Sequence, residues 1–196
     1  IKNIKLFVVL ILGSWLMSCS NLYESHDIVV EESDVLFSAT LTDQLGEFKA
    51  VNVSGEEMWH FDSNGYAYIS GFVENANKAN EAWLISPEID LTSTETARLT
   101  FDHVVRYFAN PASEATVWVS ENFVDDQSPS AATWTQLVTE PFTDPGSWTF
   151  GTSGEISLTA FAGKKIRVGF KYISTTAKAG SWELKNFLSR KGEAVG

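Results

Sequence analysis

Glu88-Ile89-Asp90-Leu91-Thr92-Ser93 is the stretch of this chain that comes nearest to a hydrolytic signature. Side chains two apart on a strand project from one face, so Glu88 and Asp90 would stand together. A retaining glycosidase needs two carboxyls about 5–5.5 Å apart, one as nucleophile and one as acid/base. The strand form of that arrangement continues to another acid three residues on, and here the position is Ser93. Pro87 removes a ladder donor just before the run, which favours a strand end or edge. The run reads as a strand exit with exposed acids, and no catalytic residue is assigned.

Other chemistries are no better served. The three His are His26, His60 and His103, no Gly-x-Ser-x-Gly elbow exists, and there is a single Cys. His103 falls among apolar neighbours on the inward face of its strand, where a hydrogen-bonded core imidazole is expected. No His pair has zinc-ligand spacing. Asp62-Ser63-Asn64-Gly65 offers hard oxygen ligands on a turn but lacks the later acids of a calcium loop, so it reads as an Asx-type turn. Asp125-Asp126 reads as a solvated loop pair. No metal and no cofactor is assigned.

The most specific chemistry lies at Cys19. Lys2 and Lys5 form a positive n-region, and Leu6-Phe7-Val8-Val9-Leu10-Ile11-Leu12 an apolar run too short to span ~30 Å of hydrocarbon. Leu16-Met17-Ser18-Cys19 then matches the bacterial lipoprotein box. Residues 1–18 are the expected signal peptide and Cys19 the expected lipidation site. Acyl chains contribute about 0.8 kcal/mol per buried CH₂, so three of them would hold the protein at a membrane. Residues 19–34 carry Glu24, Asp27, Glu31, Glu32 and Asp34 with no Lys or Arg, and read as an acidic, extended tether.

Charge narrows the partners. The 196 residues hold 25 acids against 14 Lys and Arg, for a net charge of −11. Removing residues 1–18 takes away two Lys and no acid, which leaves −13. Such a body repels phosphate backbones, so nucleic acid is excluded as a partner, and any ligand is expected to be neutral or polyhydroxylated. Lys164, Lys165, Arg167 and Lys171 are read as the wet face of one strand.

Strands must position whatever site exists. From Val35 onward period-two alternation dominates, most plainly at Ile166, Val168, Phe170 and Tyr172, and again at Ala97, Leu99, Phe101, His103, Val105 and Tyr107. Asn64-Gly65 between aromatic flanks predicts a hairpin. Turn signals every few residues across 35–191, with no internal linker or repeat, predict one all-β domain: a two-sheet antiparallel β-sandwich of jelly-roll type. Residues 192–196 form a short tail. Among the aromatic residues, Trp118, Trp134 and Trp182 are expected in the core. Trp59, Trp83 and Trp148 lie near expected loops or strand ends, and are the candidate ligand-binding residues, able to stack on the apolar face of a sugar ring.

At Trp83-Leu84-Ile85-Ser86-Pro87-Glu88-Ile89-Asp90-Leu91 the sequence resembles the choice-of-anchor J and cleaved-adhesin domains, relatives of the MAM-like jelly rolls found in surface lipoproteins of Gram-negative bacteria. The resemblance continues through Leu99-Thr100-Phe101-Asp102-His103, Val117-Trp118-Val119-Ser120, Trp134-Thr135-Gln136-Leu137, Ala162 to Tyr172, and Trp182-Glu183-Leu184-Lys185-Asn186. It implies an adhesion or glycan-binding module with no catalysis of its own. Some members hold structural calcium through an acid on the first strand and Asp residues on the last. Here Leu36-Phe37-Ser38-Ala39-Thr40 and Lys185-Asn186 stand at those places, so no metal site is carried over.

Three function classes follow. A lipid-anchored, non-catalytic binding or adhesion module of the outer membrane or cell surface, recognising glycan or glycoprotein, leads. A structural or partner subunit of a surface nutrient-capture complex is the alternative. A glycoside hydrolase ranks last because its carboxylate set is incomplete.

Overall fold

The computed structural model describes residues 34–195. Cys19, the expected signal peptide and all of the tether before Asp34 lie outside the described residues. In chain order the strands are β1 (Val35–Ala39), β2 (Lys49–Ser54), β3 (His60–Asp62), β4 (Tyr66–Ser70), β5 (Phe72–Val73), β6 (Ala76–Asn77), β7 (Asn80–Ile85) and β8 (Ile89–Asp90). They continue with β9 (Ala97–Arg106), β10 (Ala115–Ser120), β11 (Thr135–Gln136), β12 (Gly151–Thr152), β13 (Ile156–Ser157), β14 (Lys165–Ser174) and β15 (Ser181–Lys191). One four-residue helix, α1 (Pro111–Glu114), starts on a proline and precedes β10.

Every strand pairing is antiparallel, and two sheets face one another. The first has seven strands in the order β12-β9-β15-β4-β3, with β1 also on β15 and β13 also on β9. The second has six, ordered β11-β10-β14-β7-β2, with β8 on the end of β14. The expected sandwich is the observed fold. Alternation explains it locally: Ile166, Val168, Phe170 and Tyr172 of β14 are all buried, while Lys165, Arg167 and Lys171 reach solvent or partly so. Phe170 is the hub between layers, its ring edge-on to Phe101 at 5.0 Å and to Trp182 at 5.8 Å. Such ring pairs add about 0.5–1.5 kcal/mol each beyond their buried area.

The Asn64-Gly65 hairpin joins β3 to β4, with Gly65 at φ +95. Asp62 Oδ1 accepts from Asn64 N and Asn64 Nδ2, both at 2.8 Å, which is the Asx turn expected there. β15 carries a bulge between Lys185 and Leu188. Asn186 sits in it at φ +53, donating its amide N–H to the Thr40 carbonyl at 2.8 Å and its Nδ2 to Asp102 at 2.7 Å.

Four aromatic placements differ from the sequence reading. Trp118 and Trp134 join Trp83 and Phe123 in a second cluster on the outer side of the second sheet, under residues 121–134. Trp83 is therefore in the middle of β7 and only 4% exposed, with Trp134 4.6 Å away ring to ring. Trp59 is 2% exposed and packs on Trp182 at 5.4 Å. Trp59 is enclosed by the core, and Trp83 shows only an edge in a small cleft of about 190 Å³ that it shares with Trp118 and Trp134.

Candidate functional site: an aromatic groove

The groove is on the outer face of the first sheet, at the end where β9 and β4 finish and β15 begins. Its floor follows from alternation. Ile69 and Trp182 point inward, so their neighbours Tyr68, Ser70 and Ser181 face outward. Ser181 Oγ donates to Ser70 Oγ at 2.9 Å, Tyr68 Oη donates to Ser181 Oγ at 3.5 Å, and Phe72 N donates to Ser70 Oγ at 3.1 Å.

The walls come from loops. Phe72 rises on the β5–β6 hairpin, and Tyr107 and Trp148 stand across from it; Asn77, Lys178 and Ala179 complete the lining of a space of about 580 Å³. Phe72 is 51% exposed, Tyr107 49% and Trp148 46%. Three large rings left half in water around one concavity is an arrangement that soluble surfaces rarely keep without a use.

Each wall is held rigidly. At Tyr107 the chain leaves β9 in the left-handed region, φ +63, which swings the ring outward. A non-glycine residue held there stores strain, a pattern concentrated at functional sites. Asp144 fixes the turn: its carboxylate accepts the Tyr107 N–H at 3.0 Å and the Gly146 N–H at 2.8 Å, and forms an ion pair with Arg106, Nε to Oδ1 2.7 Å. Burial opposes ionisation of Asp144, but these donors outweigh it and hold its carboxyl below the ordinary range. The Arg106 guanidinium then lies 4.5 Å from the Tyr107 ring and 5.2 Å from the Trp148 ring, bracing both.

The opposite wall hangs on Tyr172. From the second sheet its hydroxyl accepts the Gly71 N–H and donates to the Gly180 carbonyl, both at 2.7 Å. Gly71 has no room for a side chain: a Cβ would meet Ser174 Oγ at 2.5 Å and Tyr172 Oη at 2.9 Å. Asn77 ties the hairpin to the 175–180 loop, donating to the Ala177 carbonyl at 3.2 Å and accepting from Ala179 N at 3.1 Å.

Of the three candidate aromatics, the structure places Trp148 on this groove and Trp59 and Trp83 elsewhere. Sequence reasoning missed Tyr107 and Phe72. Tyr107 continues the inward alternation of β9 and is turned out only by its backbone. Phe72 sits in a short hairpin whose Glu74-Asn75 turn has both residues at positive φ, a weak signal before the fold is known.

The other candidate chemistries are accounted for by local contacts. Glu88 pairs with Lys165 at 3.4 Å, and Asp90 accepts from Thr92 N at 2.8 Å and Thr92 Oγ1 at 2.5 Å. Lys164, Arg167 and Lys171 are likewise matched, by Glu121, Asp125 and Glu81. Among the described residues no group of three or more His, Cys, Asp or Glu gathers to hold a metal, and no helix is long and apolar enough to cross a membrane.

Solved structures share this architecture. The K1 cleaved adhesin domain of Lys-gingipain (Kgp) from Porphyromonas gingivalis W83 superposes with a TM-score of 0.53 at 16% identity, covering 80% of this chain and 98% of that one. The K3 cleaved adhesin domain of the same protein gives 0.54 at 13% identity, covering 81% and 98%. In fold, the chain is similar to cleaved adhesin domains. No family model matches it, and no curated protein does.

Proposed function

We propose that this protein is a non-catalytic binding module of the cleaved-adhesin and choice-of-anchor J type, held at the cell envelope by lipid on Cys19, and that the groove takes a glycan. The observation that carries the reading is the convergence of Phe72, Tyr107 and Trp148, half exposed, on one concavity with a hydroxyl floor. Ring faces of this kind stack on the apolar face of a sugar, and hydroxyls fix its orientation. The fold shared with cleaved adhesin domains supports a binding role. The paired outer row Lys164, Lys165, Arg167 and Lys171 offers little to a polyanion.

A glycan array on the full chain tests the reading, with Trp148→Ala beside it. The expected result is a set of sugar hits lost or weakened at least tenfold in the variant at unchanged melting temperature. Binding that Trp148→Ala leaves intact would place the ligand elsewhere. The anchor has its own test: Cys19→Ala should move the protein from the membrane to the soluble fraction, and a variant that still sediments with membranes after carbonate washing refutes it.

A further inference from the structure

We infer that the glycan recognised by this groove carries a carboxylate, met by Lys178. The inference rests on the reading of the groove as a glycan site and adds the charge of the ligand.

Sugar hydroxyls are bound most strongly by charged acceptors, because a carboxylate roughly doubles the strength of the hydrogen bond it receives. This chain has 25 acids to draw on, yet no Asp or Glu lines the groove. The two acids close to it are already committed. Asp144 already accepts from Tyr107 N and Gly146 N and is neutralised by Arg106. Glu183, two residues along β15 from Ser181, is buried with Tyr66 beside it. The amide of Asn77 is used on both sides by the 175–180 loop.

What the groove offers instead is donors. Lys178 lines it and forms no ion pair among the described residues, whereas the strand row on the second sheet is paired throughout. Ser70, a buried floor residue, accepts from Phe72 N and from Ser181. The hydroxyls of Tyr68, Ser181 and Ser70 form a chain whose protons can turn either way, so the floor can offer an O–H donor to a ligand. Aromatic walls, hydroxyls below and a lysine in the lining that forms no ion pair among the described residues suit a ring with one apolar face and one anionic substituent. The chain as a whole repels polyanions, but a single carboxylate set against Lys178 meets local positive charge.

The test uses the full chain in detergent and two matched probe pairs: one trisaccharide with a terminal glucuronosyl or glucosyl residue, and sialyllactose against lactose. A 6-sulfated form of the glucosyl trisaccharide is the third arm. The acidic member of each pair is expected to bind at least tenfold tighter, Lys178→Gln to bring acidic and neutral members within about twofold, and Trp148→Ala to weaken both. Equal binding of acidic and neutral members overturns the carboxylate while the aromatic groove stands. Sulfate binding as tight and as dependent on Lys178 overturns it in favour of anions in general. If no probe binds, or Trp148→Ala leaves binding unchanged, the glycan reading falls and takes this inference with it.

Discussion

Trp182 donates its indole N–H to Nδ1 of His103 across 3.3 Å, at the seam where β15 pairs with β9. The bond needs His103 neutral at Nδ1. Burial pushes its pKa down to about 4, with Asp102 opposing. The unfolded chain binds a proton near 6.5 and the folded one only near 4, so between those values the unfolded state holds more protons and stability rises with pH. Lowering the pH from about 6.5 to about 4 should therefore remove stability on the order of 3 kcal/mol through this one group. His103→Gln keeps an acceptor for Trp182 and cannot titrate. Urea midpoints across that window should be flatter for the variant, and equal slopes would rule His103 out as the source.

Glu183 runs the other way. Burial raises its pKa, the nearby charge of Asp62 adds to the effect, and the Tyr66 hydrogen bond and Lys185 only partly offset it. The folded state then holds a proton more readily than the unfolded one, so its contribution to stability falls as pH rises through the carboxylate range. Glu183→Gln keeps the size and shape of the side chain and loses that penalty. Thermal melts should show the variant gaining on the wild type at pH 8 relative to pH 4.

Tyr172→Phe removes the hydroxyl that bridges Gly71 N and the Gly180 carbonyl. Leaving buried partners unsatisfied costs about 1–3 kcal/mol. Because both partners flank the groove wall that carries Phe72, any binding measured at the groove should weaken along with the melting temperature. A variant as stable as the wild type would show that the bridge is dispensable.

Gly169 lies beneath two indoles: a Cβ there would meet Trp134 and Trp83 ring carbons at 2.9 Å. Gly169→Ala should cost about 1–3 kcal/mol by overpacking and lift the Trp134 ring toward solvent. A red shift in tryptophan emission at unchanged sugar binding checks this, since the cluster and the groove are on opposite sheets.

The fold was legible because burial on one face writes itself into period two. Ile166, Val168, Phe170 and Tyr172 announce their strand and its buried face. The site was legible only at Trp148, in a turn-rich segment that no strand could bury. Trp83 misled because its strand is dry on both faces, the outer one covered by residues 121–134, and no local pattern reports a cover supplied from forty residues away. Tyr107 was hidden for a different reason. Its exposure depends on one backbone angle enforced by Asp144, which is remote in sequence.

β15 joins β1, β4 and β9 into one sheet, although β1 is made at the start of the domain and β15 near its close. β3 with β4, and β9 with β12 and β13, can pair earlier, but these pieces and β1 are joined into one layer only when residues 181–191 have emerged. Local contacts cannot complete such a sheet early, and assembly dominated by distant pairings is slow. A nascent chain would keep this layer in separate pieces until β15 is made, and would close around Trp182 and Phe187 only then.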